Sequence, residues 1–276
     1  MEGVSMVKVE HNVLTEYKKV INEDSPSFSG IVAAECMGTL WVDKIDQPNI
    51  AIVGSYAVGS YAFLGDLTNK EEYHQLEVFI RDELFPYLKL NGMNYFEFSI
   101  ESESLKPHIL NMFQDKKINS EREFLHRTHD YIDAIDTLPE GFTLHKVDQE
   151  YWLKLNKGVY SNPSIISERL LESWESFEEF EHKSLGFCIT YSDRIAAVIL
   201  GTARFHNTIA IDIETEEDYR HRGLGYILTT HFVNGCLSKG LIPQWDAVES
   251  NPFSLRLAQK AGFKLFKEND VYWFGI

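Results

Sequence analysis

A chain of 276 residues, 44% hydrophobic and 13% aromatic, holds enough apolar material for one large or two modest packed domains and too much for a disordered protein. Its formal charge of −16, most of it carried before residue 141, sets it against nucleic acid and anionic membrane surfaces, and no apolar run is long enough to span a bilayer. The three cysteines, Cys36, Cys188 and Cys236, are far apart and each lies in an apolar stretch. That points to core thiols in a reduced, cytoplasmic setting rather than a disulfide framework, a zinc site or a nucleophile. The first residues lack the basic-then-apolar pattern of a signal peptide.

In chain order, residues 13–21 suit a short helix and the polar tract 22–27 a loop. Two β-like runs, 39–45 and 49–56, flank the turn Asp46-Gln47-Pro48-Asn49, and 63–66 ends a third. Residues 71–90 are amphipathic, with Leu76, Phe79, Ile80, Leu84, Tyr87 and Leu88 on one face and Asn91-Gly92 as the stop. A strand over 95–100, a helix over 102–113 and a strand over 121–128 complete the first half. The turn-rich stretch 136–141 is the expected domain boundary, giving domains 1–138 and 142–276. Beyond it the pattern predicts a strand at 142–147, helices at 150–156 and 164–174, and an acidic tract holding Glu175, Glu178, Glu179 and Glu181. Strands at 185–191, 195–204 and 208–215 follow. The hairpin turn before the last contains His206, read as a turn polar. A strand at 242–248, a helix at 253–261 and a final strand at 271–276 end the chain. Antiparallel hairpins with a strand–loop–helix–strand–helix unit make this α+β or mixed α/β.

The organising stretch runs from 209 to 227. Ile209, Ile211, Ile213 and Thr215 alternate as a strand, an acidic turn follows, and then come Arg220-His221-Arg222-Gly223-Leu224-Gly225 before an apolar helix face. A glycine-bearing loop at a helix N-terminus aims several backbone N–H groups at one point and holds phosphate oxygens. Behind it stands Asn251-x-x-Ser254-x-x-Leu257-x-x-Lys260-x-Gly262-Phe263.

Taken together, these two blocks resemble the Arg/Gln-x-x-Gly-x-Gly/Ala signature and the Asn-to-Gly-Phe helix of the GNAT N-acetyltransferase superfamily, over about residues 142–276. The first half, with Gly38-Thr39-Leu40-Trp41-Val42-Asp43 and Phe63-Leu64-Gly65-Asp66, resembles the amino-terminal part of the GNAT-acetyltransferase family that includes zwittermicin-type self-resistance acetyltransferases. The resemblance implies a C-terminal acyl-CoA N-acyltransferase fold, a mixed, mostly antiparallel sheet with flanking helices. It also implies a degenerate GNAT-like α+β domain at 1–138 without a coenzyme A loop. Acetyl-CoA is then the acyl donor. Ile213 and Thr215 meet the pantetheine arm, the segment Arg220, His221, Arg222, Gly223, Leu224, Gly225 and Tyr226 grips the pyrophosphate, and Asn251 and Ser254 reach the cofactor. Read from the residues alone, Asn251 serves equally as a helix cap, Ser254 as a surface serine, and Arg220 and Arg222 as solvated charges.

Acyl transfer to an amine needs a base, and Glu249 and Glu214 lie nearest the expected acetyl position, either of them also readable as a structural carboxylate. Ala258 stands where the family often has a Tyr that protonates the leaving thiolate; Tyr219, Ser250 and Tyr272 are alternative hydroxyls. The acidic tract 175–181 suggests a cationic small-molecule amine as acceptor, though a solvated face is its commoner meaning. The expected function is direct acetyl transfer in a ternary complex, without metal, nucleic acid or membrane partner. A non-catalytic acyl-CoA sensor is the alternative. An aminoacyl-tRNA-dependent transferase is a third reading, disfavoured by the acidic charge.

Overall fold

The computed structural model describes residues 6–10, 17–133 and 137–276. The chain divides into two compact units, residues 1–123 with 269–276, and residues 124–268.

The first unit contains β1 (Val7–Lys8), α1 (Pro26–Val32), β2 (Gly38–Val42), β3 (Ile50–Ser55), β4 (Ser60–Gly65), α2 (Lys70–Phe79), α3 (Phe85–Leu90), β5 (Tyr95–Ile100), α4 (Lys106–Met112) and the start of β6 (Asn119–Arg127). Strands β2, β3 and β4 pair antiparallel, and β5 joins β4 in parallel. Its core is largely aromatic, with Phe63, Phe85, Phe96, Phe98, Phe113 and Phe274 within one buried cluster. Between α2 and α3 the helix widens into a π turn over Ile80–Leu84, where the Phe85 N–H bonds back to the Ile80 carbonyl. Pro86 supplies the reason: it has no N–H for the helical ladder, and its ring crowds the carbonyl one turn back.

Sequence patterning and structure part at three places here. The polar tract 22–27 does not remain a loop to its end, because Pro26 opens α1, using the fixed φ that suits a first helical position. Of the helix expected at 13–21, residues 13–16 lie outside the described residues, and Lys18–Val20 form a single 3₁₀ turn. The final strand, β12 (Lys264–Gly275), starts seven residues earlier than expected. Glu268-Asn269-Asp270 looks like a turn, but the structure gives the polar side chains partners that hold them in an extended strand: Asp270 accepts from Lys106 Nζ at 2.7 Å and from the Tyr272 hydroxyl at 3.1 Å.

The second unit contains the end of β6, β7 (Phe142–Lys146), α5 (Gln149–Asn156), α6 (Ser164–Ser173), α7 (Phe177–Lys183), β8 (Gly186–Tyr191), β9 (Arg194–Phe205), β10 (Thr208–Thr215), α8 (Leu224–Ser238), β11 (Ile242–Val248), α9 (Pro252–Lys260) and the start of β12. Strands β7 to β10 form an antiparallel run, and β11 joins β10 in parallel after the α8 crossover. Helix α7 emerges from the acidic tract because Ser176 caps it, accepting from the Glu179 N–H at 3.2 Å. Leu224, Ile227, Leu228 and Phe232 of α8 pack with Ile199 and Ile209 of the sheet in one core cluster.

The compact units are drawn differently from the expected domains 1–138 and 142–276. Residues 124–138 fall in the second unit and 269–276 in the first, because β5 pairs antiparallel with residues 271–275 of β12. Each unit nonetheless has the same succession, an antiparallel run of strands and then a parallel strand reached through a helix. Among the described residues no helix is long and apolar enough to cross a membrane.

Candidate active site

The site starts from a failure of strand pairing. β10 and β11 are paired only from Thr208 opposite Ile242 to Ala210 opposite Gln244. A bulge falls between Ala210 and Ile211, and a bulge bends its strand and raises the local twist. From there β10 keeps its β9 partners, ending with Thr215 opposite Ala197, but among the described residues it has no further pairing with β11. The gap opens into a cavity of about 490 Å³, within the usual range for a small-molecule site.

A glycine-bearing loop, residues 220–225, lies at its mouth. His221 and Gly223 both have left-handed backbones, φ 63° and 80°, which glycine adopts freely and histidine at a modest cost. Gly223 caps α8 with its carbonyl, accepting from the N–H groups of Tyr226 and Ile227 at 3.1 and 3.2 Å. The N–H groups of residues 221–225 have no acceptor among the described residues. Free N–H groups and a helix N-terminus together attract phosphate. Gly225 has a steric role, since a Cβ there would come within 3.2 Å of the Leu257 side chain.

Ile213, Glu214, Thr215, Arg220, His221, Gly223, Leu224, Gly225, Asn251 and Ser254 all line this one cavity. Three other sequence candidates do not. Arg222 lies with its guanidinium 5.9 Å from the Phe142 ring, Tyr226 has committed its N–H to Gly223 and its ring to Lys260, and Glu249 is exposed beyond the end of β11. Arg220 stays at the rim, its Nε donating to the Thr215 carbonyl at 3.0 Å. The two readings of Asn251 are resolved locally. Its side chain caps α9, accepting from the Ser254 N–H at 3.1 Å, while the Ser254 hydroxyl accepts from the Trp245 indole at 2.8 Å.

Sequence reasoning missed the partner of Glu214. Arg169, projecting from α6, donates from Nε to Asp212 at 2.8 Å, ion-pairs with Glu214, and gives a third bond to the Ile165 carbonyl at 3.0 Å. No local signal marks it, because Arg169 and Glu214 lie 45 residues apart in sequence. Tyr219 and Leu257 also line the cavity, whereas Ala258 is buried in the α9 core, so α9 offers no phenol at that position. Of the other hydroxyl candidates, Tyr272 is buried in the first unit and bonded to Asp270, and Ser250 is exposed.

Two carboxylates of the acidic tract 175–181 are engaged locally. Glu179 pairs with Lys183 at 2.6 Å and accepts from the Glu175 N–H, and Glu181 accepts from the Gln149 N–H. The structure therefore gives no support to a cationic acceptor on the strength of this tract. Burial pushes the Cys188 thiol up to about 12 and raises that of Cys236 as well, so neither is a thiolate at neutral pH.

In the corresponding turn of the first unit several backbone N–H groups are already taken. β4 extends only Leu64 and Gly65 past its last pairing with β5. The Asn69 side chain occupies the N–H groups of Glu71 and Glu72, the Glu72 carboxylate occupies the Thr68 N–H at 2.6 Å, and two carboxylates stand in the first helical turn.

Comparison with known proteins agrees with this architecture. The GNAT acetyltransferase family model matches residues 20–272. The uncharacterized N-acetyltransferase YdfB of Bacillus subtilis (strain 168) is 30% identical over 138 residues, which is half of this chain and half of that protein. Among solved structures, a GCN5-related N-acetyltransferase-like protein of Streptococcus suis 89/1591 is similar with a TM-score of 0.62 at 22% identity, covering 87% of this chain and 89% of that one. A tandem GNAT protein from the clavulanic acid biosynthesis pathway gives 0.58 at 9% identity, covering 90% and 86%. At such identities the likeness speaks for the fold, and the tandem neighbour is consistent with two GNAT-like domains. By the family match over nearly its whole length, the chain belongs to the GNAT acetyltransferase family.

Proposed function

We propose that the protein transfers an acetyl group from acetyl-CoA to a primary amine of a small molecule, directly and in a ternary complex, with the second unit as the catalytic domain. The observation that carries this reading is the cavity between the parted strands β10 and β11, with the unpartnered N–H groups of residues 221–225 at its mouth. Those groups suit the pyrophosphate, and the free edge of residues 211–215 suits a pantetheine amide. The first unit, whose corresponding N–H groups are already occupied, takes no coenzyme A.

In the reaction the amine nitrogen bonds to the thioester carbonyl carbon, the C–S bond breaks, and the amine gives up a proton while the sulfur gains one. Glu214, in the cavity and held by Arg169, takes the amine proton directly or through a water. Tyr219, which lines the same cavity, supplies a phenol within the site for the departing sulfur. Cys188 and Cys236, buried with their thiols protonated, are not nucleophiles for an acyl-enzyme.

Release of free thiol on mixing the protein with acetyl-CoA and a broad panel of amines tests the reading. Turnover with at least one amine is expected. Tight acetyl-CoA binding with no thiol released by any amine decides instead for a non-catalytic acyl-CoA-binding protein, a reading favoured by the lack of a hydroxyl at Leu257 and Ala258. Glu214→Gln should lower kcat about 100-fold and leave acetyl-CoA affinity within about twofold. Glu249→Gln, at an exposed side chain outside the cavity lining, should change kcat by less than about threefold. The reverse order of losses assigns the base to Glu249.

A further inference from the structure

Asp212, Glu214 and Glu216 stand at alternate positions along and just beyond the stretch of β10 that has parted from β11, and they are partnered unequally. Glu216 has an arginine to itself: Arg194 grips it at two points, 2.6 and 2.9 Å, and the Asn162 side chain adds a bond at 2.8 Å. Asp212 and Glu214 share one arginine. Arg169 donates from Nε to Asp212 at 2.8 Å, ion-pairs with Glu214, and is tied back to its own helix through the Ile165 carbonyl. Two carboxylates on one guanidinium leave a formal negative charge in surplus, and both carboxylates remain 38% exposed. Of the two, Glu214 lines the cavity, while Asp212 lies two residues back on the same face of the strand, within reach of the same guanidinium.

We infer that Asp212 sets the charge of the acceptor site and, through Arg169, positions Glu214, so that the site selects free cationic amines. A primary amine is largely an ammonium ion in neutral water and has to lose that proton before it can attack. The surplus charge of the Asp212–Arg169–Glu214 triad draws the ammonium in. Passage of one proton from the nitrogen to Glu214 then leaves a neutral amine, a neutral carboxyl group, and a guanidinium balanced by Asp212 alone. With Asp212 uncharged, Arg169 would cancel Glu214 and the triad would hold no net attraction for a cation. The same surplus charge disfavours acceptors that carry a carboxylate beside the amine. This inference rests on Glu214's facing the acceptor in the proposed reaction, and it adds the acceptor's charge class.

Steady-state kinetics of the whole chain at saturating acetyl-CoA test it, over a panel of primary amines that includes ethanolamine, putrescine, tyramine and glucosamine, with the amine of highest kcat/KM as the probe. The formal charge of the triad is −1 in the wild type and in Arg169→Lys, 0 in Asp212→Asn and Glu214→Gln, and −2 in Arg169→Gln. At low salt the KM for the amine should rise about fivefold in both neutral variants and fall about fivefold in Arg169→Gln, the differences shrinking to within about twofold near 0.5 M salt. Arg169→Lys should keep the wild-type KM and lose kcat about tenfold, because an ammonium is a point charge without the fork that orients two carboxylates. The analogue of the probe with a carboxylate on its amine-bearing carbon should have a kcat/KM at least about fivefold lower. A KM that moves the same way in Asp212→Asn and Arg169→Gln marks a structural perturbation and overturns the triad's role, as does a KM unmoved in both or a preference for the carboxylated analogue. A wild-type kcat in Glu214→Gln with the KM order intact removes the base assignment alone. No turnover with any amine removes the proposed function and the triad's role with it.

Discussion

Gly223→Asp is expected to raise the Kd for acetyl-CoA at least about 100-fold, roughly 2.7 kcal/mol, while leaving the fold intact. The backbone at Gly223 is left-handed, with φ 80° and ψ 2°, and a Cβ placed there meets nothing within 4 Å. Asp adopts that conformation at a cost of about 1–2 kcal/mol, and as the residue preceding α8 it also places a carboxylate at a helix N-terminus, which offsets part of the cost. Any loss of binding therefore reports on the space the side chain enters. Gly223 lines the cavity within the loop 221–225, and a carboxylate added there repels a pyrophosphate. Gly223→Asn separates the two contributions, since it has the same shape and tolerates the same backbone without the charge. Calorimetry should show a clearly smaller loss for Asn than for Asp, and equal affinities for Asp and wild type would remove the loop from the binding site.

Trp174→Ala should destabilise the protein by about 4 kcal/mol, among the larger losses a single core truncation produces. Trp174 follows α6 directly and is completely buried. Its indole N–H donates to the Gly201 carbonyl of β9 at 3.0 Å. Truncation leaves a cavity, but the carbonyl is not stranded, because the Ser184 hydroxyl also donates to it at 2.7 Å. The loss is thus mostly one of packing, and Trp174→Phe should recover more than half of it. Thermal unfolding should show a fall of about 8–16 °C for the Ala variant. A fall of only a degree or two would mean that α6 is not anchored through this ring. Because α6 also carries Arg169, the same anchor fixes the group that holds Asp212 and Glu214.

The glycine loop was legible in the sequence because it is local. Alternating isoleucines, two glycines two residues apart and an apolar helix face fall within twenty residues, and the structure places most of them around one cavity. What opens the cavity was not legible. The parting of β10 from β11 depends on a bulge at Ala210/Ile211 and on the register of strands that meet only after the chain folds, and no residue type there announces it. Arg169 was invisible for the same reason, as its carboxylate partners come from a different element. Tyr226 shows the opposite error. It is adjacent to the loop in sequence, yet its N–H is consumed by the helix it belongs to. The twelve-residue length of β12 was hidden because Asp270, a turn-former by habit, is held extended by Lys106 and Tyr272.

That last strand has a consequence for how the protein is made. Residues 271–275 pair with β5, and Tyr272 and Phe274 fill part of the first unit's aromatic core, but a ribosome delivers them some 150 residues after the rest of that unit. Until then β5 has an open edge, Phe96 lacks its neighbour Phe274, and Phe98 lacks both Tyr272 and Phe274. Residues 124–268, by contrast, form a unit whose parts are consecutive. Vectorial synthesis thus reverses the usual order: the half that emerges first is finished last, and a nascent chain stalled before residue 269 holds a sticky, incomplete sheet that chaperones would need to shield.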